Sequence, residues 1–208
     1  MSRYTGPNCR FCRREGTKLF LKGERCALEK CAFERRSYEP GQHGQGRRRK
    51  QSDYSVQLRA KQQLARIYGV REKQFRGYYK KASRATGVSG EILLRLLETR
   101  LDNIVYRLGF APSRKAARQL VRHNHLTVNG KRVNIPSYIA NPGDVVQVAE
   151  KSRQLEFIQE SMRRSREMVS WLAVDKVNLQ GTVVERPVRD EIPTVAEEQL
   201  VIEFYSRV

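Results

Sequence analysis

The sequence predicts an α+β chain on three observations. Apolar residues recur at helical spacing from Ser52 to Leu108, a short basic helix after Pro112 runs into an Asn129-Gly130 hairpin, and period-two alternation follows near Val145 and from Leu172 to Val184. A length of 208 residues suits two small domains better than one large one.

The first helix is expected to open at Ser52 as N-cap, to place Tyr54, Leu58, Leu64 and Ile67 on one side, and to stop at Gly69. A second follows over residues 71–84. It interleaves Phe75, Tyr78 and Tyr79, read mostly as core, with Lys73, Arg76, Lys80, Lys81 and Arg84. A third should start near Ser89 and bury Leu93, Leu97, Leu101, Ile104 and Leu108 in one stripe before Gly109, with Arg100 and Asp102 as ordinary surface or capping residues.

Ser113 is the expected N-cap of the basic helix. At about 100° per residue, Arg114, Lys115, Arg118 and Arg122 share a third of the circumference and Ala116, Ala117, Leu120 and Val121 oppose them. That segregation gives one face to bury and one to present to a polyanion. Asn129-Gly130 is the preferred two-residue hairpin turn, and it carries the cationic surface on to Lys131 and Arg132. His123 and His125 read as packing or RNA-contact residues, since no thiol or carboxylate sits beside them.

Beyond the hairpin, Pro142-Gly143-Asp144 turns into a strand over residues 145–149, residues 151–168 read as a mixed-charge helix, and residues 172–184 give one or two more strands. Trp171 is expected to anchor the core. Residues 185–193 mark a boundary, after which Leu200, Val201, Phe204 and Tyr205 fit a last helix, with a strand as the alternative.

Composition narrows the partners. Lys and Arg number 41 against 22 Asp and Glu, a net charge of +19. Residues 1–150 hold 32 basic and 12 acidic side chains, whereas residues 151–208 hold 9 and 10. A nucleic acid is the partner this distribution fits, bound mainly outside the C-terminal quarter. No run approaches the ~18 apolar residues of a membrane helix, and the start Met-Ser-Arg-Tyr-Thr-Gly has no apolar signal region. The expected setting is therefore intracellular and soluble.

All four cysteines fall in the first 31 residues as Cys9-x2-Cys12-x13-Cys26-x4-Cys31. Two close pairs across a short loop match a closed, structural zinc knuckle, and the surrounding Arg10, Arg13, Arg14, Lys18, Lys22, Arg25 and Lys30 favour thiolates. Four thiolates can also hold an iron-sulfur cluster, the alternative to zinc as the default, and two disulfides are the third reading. Residues 34–50 then form an extended basic arm punctuated by glycine. His43 has no partner there and reads as a loop contact.

The runs from Arg100 to Phe110 and from Ser113 to Val121, with Val128-Asn129-Gly130, resemble the RNA-binding module of the family of the fourth small-subunit ribosomal protein. Tyr4-Thr5-Gly6-Pro7, Arg13-Arg14-Glu15-Gly16, Pro40-Gly41-Gln42-His43-Gly44, Ile67-Tyr68-Gly69-Val70 and the stretch from Leu200 to Arg207 extend the likeness to the bacterial and chloroplast form along nearly the whole chain. The module alone occurs in several RNA-handling families; the full set of motifs is far more specific.

That resemblance implies a mostly helical first domain with an N-terminal metal-knuckle extension, and an inserted RNA-binding module of two helices and a small antiparallel sheet. The expected division is residues 1–50 as knuckle and arm, residues 51–86 with 188–208 as the helical domain, and residues 87–187 as the insert. It further implies a primary 16S rRNA-binding protein that docks on a 5′-domain helical junction, nucleates small-subunit assembly and contributes to decoding fidelity. Its partners would be the neighbouring ribosomal protein five and messenger RNA where it enters the subunit, with no membrane and no homo-oligomer. The location would be the cytoplasm or an organellar stroma.

The RNA-contacting set expected from residues and resemblance together begins with Arg13 and Arg14 at the knuckle and Arg35, Arg36, His43, Arg47, Arg48, Arg49 and Lys50 in the arm. It continues through Arg59, Lys73, Arg76, Lys80 and Lys81 to Arg114, Lys115, Arg118, Arg122 and His123 on the basic helix, and Lys131 and Arg132 on the hairpin. Readout would be of shape and backbone, because A-form RNA hides its base edges in a deep, narrow groove. Catalysis is not expected. A module-bearing pseudouridine synthase needs a further large domain with a catalytic aspartate, and no carboxylate here has a context that suggests such use. A stress-response RNA-binding protein with this module would lack the cysteine region and the closing motif.

Overall fold

The computed structural model describes residues 4–46, 50–163 and 169–207. Arg47, Arg48 and Arg49, and the end of the helix expected up to residue 168, lie outside them. The elements among the described residues are, in chain order, α1 (Cys9–Glu15), α2 (Ala32–Arg35), α3 (Asp53–Ile67), α4 (Glu72–Arg84), α5 (Ser89–Glu98), α6 (Leu101–Arg107), α7 (Arg114–Arg122), β1 (Leu126–Val128), β2 (Lys131–Arg132), β3 (Val145–Val148), α8 (Glu156–Arg163), β4 (Leu172–Asp175), β5 (Gln180–Val183) and α9 (Glu198–Ser206). None of these helices is long and apolar enough to cross a membrane. The chain is α+β and divides into two compact units, Met1–Gly90 with Thr194–Val208, and Glu91–Pro193.

In the first unit α9 packs along α3 and also meets α4. The Ser52 hydroxyl caps α3 by accepting from the Ser55 N–H at 3.4 Å. Phe75 and Tyr205 stack with centroids 6.0 Å apart, Tyr79 and Tyr205 at 4.7 Å. The Tyr205 hydroxyl and the Lys61 ammonium each donate to Glu72 at 2.6 Å, and the Gln57 amide donates to Glu203 at 2.9 Å. The chain's last helix is thus fixed by a core contact and by polar bonds at its rim.

The metal knuckle is corrected here. Cys12, Cys26 and Cys31 are buried and Cys9 is partly so, all as free thiols, yet among the described residues no group of three or more His, Cys, Asp or Glu side chains is placed to hold a metal ion. The zinc and iron-sulfur expectations fall with that finding. Burial pushes the Cys12 and Cys26 thiols up, away from the thiolate that ligation needs, and the Lys22 backbone N–H donates to Cys26 Sγ at 3.4 Å. The cysteines pack as small apolar side chains.

Contacts with α3 steady the segment in place of a metal. The buried Glu15 carboxylate pairs with Arg59 at 3.4 Å and with Arg66, whose guanidinium lies 4.5 Å over the Phe11 ring. The Gln63 amide donates to Thr17 Oγ1 at 3.1 Å.

The second unit folds around an antiparallel five-stranded sheet in the order β2-β1-β3-β5-β4. Leu126, Val128, Val146, Val148 and Val183 point into its core with Leu101, Ile104, Leu108, Leu120, Val121 and the fully buried Trp171. The helix expected to run unbroken to Gly109 is instead two. Thr99 returns its hydroxyl to the Arg95 carbonyl at 2.9 Å, Arg100 is extended and bridges to Ile139, and the Leu101 N–H donates to the Tyr138 carbonyl at 2.8 Å. That break decides the geometry of the site.

Candidate nucleic-acid interface

Where α5 ends and α6 begins, two carboxylates are turned inward. Glu98 is 0 % exposed and Asp102 4 %, and Arg100 beside them is 0 % exposed. Asp102 takes both ends of the Arg100 guanidinium, at 3.0 and 2.7 Å, and also the Arg118 guanidinium at 3.0 Å. Glu98 is held in the same forked way by Arg107 at 2.9 and 2.7 Å, while Asn103 bridges it to Arg114 by donating to Glu98 at 2.6 Å and accepting from Arg114 Nε at 2.7 Å. The Arg114 guanidinium also lies 4.6 Å over the Tyr106 ring. Arg100 and Asp102 are therefore not surface residues; Arg100 does hold the N-cap position of α6, but its side chain is engaged by Asp102 and makes no cap bond.

These ion pairs change what the basic helix offers. Ser113 caps α7 as expected, its hydroxyl accepting from the Ala116 N–H at 3.3 Å, and Ala117, Leu120 and Val121 are buried. The side chains of Arg114 and Arg118 retain only 17 and 24 % exposure and are braced against acids of α5 and α6. Arg122 and His123 are exposed and Lys115 is half-buried. The face is cationic, with its first two arginines held in fixed poses.

The hairpin forms with Asn129 and Gly130 at φ of 50° and 77°, the conformation that the tight turn demands. Asn129 secures it to β3, accepting from the Val145 N–H at 2.9 Å and donating to Asp144 at 2.8 Å. Lys131 and Arg132 stand exposed on β2, but Arg132, paired across the strands with the outward-facing Thr127, lies on the outer face of the sheet and, against expectation, does not continue the α7 surface. His125 is bonded to the Ser152 hydroxyl at 2.8 Å, and burial together with the neighbouring His123 holds its pKa below the ordinary value.

The first unit carries a second cationic face. On α4, Phe75, Tyr78 and Ala82 are buried, while Lys73, Arg76, Lys80, Lys81 and Arg84 are exposed. At helical spacing, Lys73, Arg76, Lys80 and Arg84 form one row, with Lys81 beside it. The knuckle and arm residues divide by use. Arg13 donates to the carbonyls of Tyr38 and Glu39 at 2.9 and 3.2 Å and lies over the Tyr38 ring, Arg14 pairs with Glu39, and Arg59 pairs with Glu15. Arg35, Arg36, His43 and Lys50 are exposed.

Sequence reasoning passed over Glu98, Asn103 and Arg107, because their pairing depends on the break before α6. It also passed over Lys151 and Arg153, isolated cations with no periodic signal.

A family model described as ribosomal protein S4/S9 N-terminal domain matches residues 3–98, and one described as S4 domain matches residues 99–146. Fold and matches together define the class, a chain that joins these two modules. The small ribosomal subunit protein uS4 of Thermus thermophilus is 57% identical over 209 residues and that of Citrifermentans bemidjiense 59% over 209, each covering 100% of both chains. The protein of the same name from Thermodesulfovibrio yellowstonii is 54% identical, again over 100% of both. The chain belongs to the uS4 family.

Proposed function

We propose that this protein is a structural, non-catalytic component of the small ribosomal subunit that binds 16S rRNA. The observation that carries the reading is its full-length membership in a family whose members bear the name of a small-subunit protein. The cationic faces of α4 and α7 supply the chemistry. Each has an apolar side packed in its own unit and a row of Lys and Arg on the other, suited to phosphates and 2′-hydroxyls across a folded junction.

Within that role the protein docks on a 5′-domain helical junction early in assembly and contributes to decoding fidelity. Residues 87–187 act as the inserted RNA-binding module, and residues 51–86 with 188–208 as the helical domain. The arm extends toward messenger RNA where it enters the subunit, and ribosomal protein five is the neighbour. Its setting is the bacterial cytoplasm, inside the subunit and without self-association.

The test is chemical footprinting of the purified chain on 16S rRNA. Protection confined to a junction of the 5′ domain is expected. Protection scattered over the RNA, or none, rejects the reading.

A further inference from the structure

A different surface of the second unit has the makings of a binding site of its own. Leu126, Val128, Val146 and Val148 occupy the core side of the sheet, where α7 also packs. Thr127 points the other way, its cross-strand neighbours being Arg132 and Gln147. On this outer face lies a cleft of about 280 Å³, floored by Thr127 and Gln147 and bordered by Arg132, Glu150, Lys151 and Arg153. Three cations meet one acid there.

Two of the cations are carried on an anchored turn. The 3₁₀ turn Glu150–Ser152 is fastened to the end of β1 by the Ala149 N–H donating to the His125 carbonyl at 2.9 Å, and by the bond between His125 and the Ser152 hydroxyl at 2.8 Å. Lys151 and Arg153 therefore project from a fixed base. Arg153 lines the cleft beside Lys151, and its Nε–H has no acceptor among the described residues, so no bond to them commits this side of the guanidinium elsewhere. A phosphate oxygen is the acceptor that guanidinium forks and an ammonium recognise together. No aromatic ring lines the cleft, so it lacks a platform for stacking bases and suits the sugar-phosphate backbone.

We propose that this cleft binds a phosphodiester of an RNA strand, giving the second unit an RNA contact on the opposite side of its sheet from α7. The proposal rests on the rRNA-binding reading. It assigns Lys151, Arg153 and Arg132 as phosphate contacts, and it makes the unit a clamp between two RNA segments.

The test measures binding of the full chain to a 5′-domain fragment of 16S rRNA across a salt series. It compares the Lys151→Gln/Arg153→Gln double variant, an α7 variant (Lys115→Gln/Arg122→Gln) and the unaltered chain. Each double variant should lower the salt slope by about one to two, and the two losses should add. Lys151 should also become protected from a lysine-acylating reagent when the fragment is bound. An unchanged slope for the Lys151/Arg153 variant, alongside a reduced slope for the α7 variant, overturns the cleft and leaves the rRNA reading standing. If the unaltered chain ignores the fragment, the rRNA reading fails and the cleft with it. Inorganic phosphate titrated in place of RNA separates the sources: Lys151 protection at millimolar phosphate but not by the fragment would make this a free-phosphate site and overturn the proposal.

Discussion

Asp102 shows how one buried charge organises a surface. Its carboxylate receives the fully buried Arg100 and the largely buried Arg118, so its loss would leave the Arg100 guanidinium buried without this counter-ion. Breaking such a pair costs about 3–5 kcal/mol, whereas an exposed side chain away from such features changes stability by about 0.5 kcal/mol or less. Asp102→Ala should accordingly lower the urea midpoint far more than Arg122→Ala does, and equal midpoints would contradict the network. None of this was legible locally. Residues two apart do not face each other on a helix, so the pairing of Arg100 with Asp102 exists only because Arg100 is extended and bridged to Ile139, a long-range contact that no helical pattern signals.

A second residue sets a pH response. Burial raises the Glu72 carboxyl, but the bonds from Lys61 and the Tyr205 hydroxyl outweigh it and hold the group below its ordinary value of 4.5. A carboxylate depressed by folding contributes stability that is present above the unfolded value and lost as pH falls through the folded one. Denaturation of Glu72→Gln from about pH 6 down to pH 3 should therefore show a flatter acid limb than the unaltered chain. Superimposable limbs would remove Glu72 from the account.

Among the elements, those with a local chemical signature were readable. Ser52 and Ser113 cap α3 and α7 because their hydroxyls accept from the third residue on, and Asn129-Gly130 makes its hairpin because both residues take positive φ. The last segment, open between helix and strand, is the helix α9, settled by its packing on α3. What failed was the cysteine segment, where ligand spacing outweighed everything else. Its helix α1 follows contacts to α3 that lie 44 to 51 residues away, and α2 packs on α1.

Close approach within the second unit was equally invisible. A Cβ at Gly181 on β5 would come within 2.2 Å of Leu108 Cδ2, inside the core. Gly181→Ala should destabilise by about 1–3 kcal/mol, as overpacking does, read as a lower thermal midpoint. An unchanged midpoint would mean that Leu108 yields freely.

Over the whole molecule, the α+β class and the family were in the sequence, since helical and alternating periods and a set of motifs spread from Tyr4 to Arg207 are local properties. The use of the charge was only half there. A net charge of +19 announces a polyanionic partner, but composition does not separate cations that face outward, such as Lys73, Arg76 and Lys80, from those that hold the fold, such as Arg13, Arg59 and Arg100. That sorting needs buried carboxylates and backbone carbonyls in three dimensions.

The most direct measurement is a titration of the 16S 5′-domain fragment with the full chain over a range of salt, beside an unstructured RNA of equal length. With about five to eight phosphates neutralised, the logarithm of affinity should fall against the logarithm of salt with a slope of roughly −4 to −7, and the folded fragment should bind more tightly at every point. A flat line, or equal affinity for both RNAs, would contradict the claim that these cationic faces are shaped for folded ribosomal RNA.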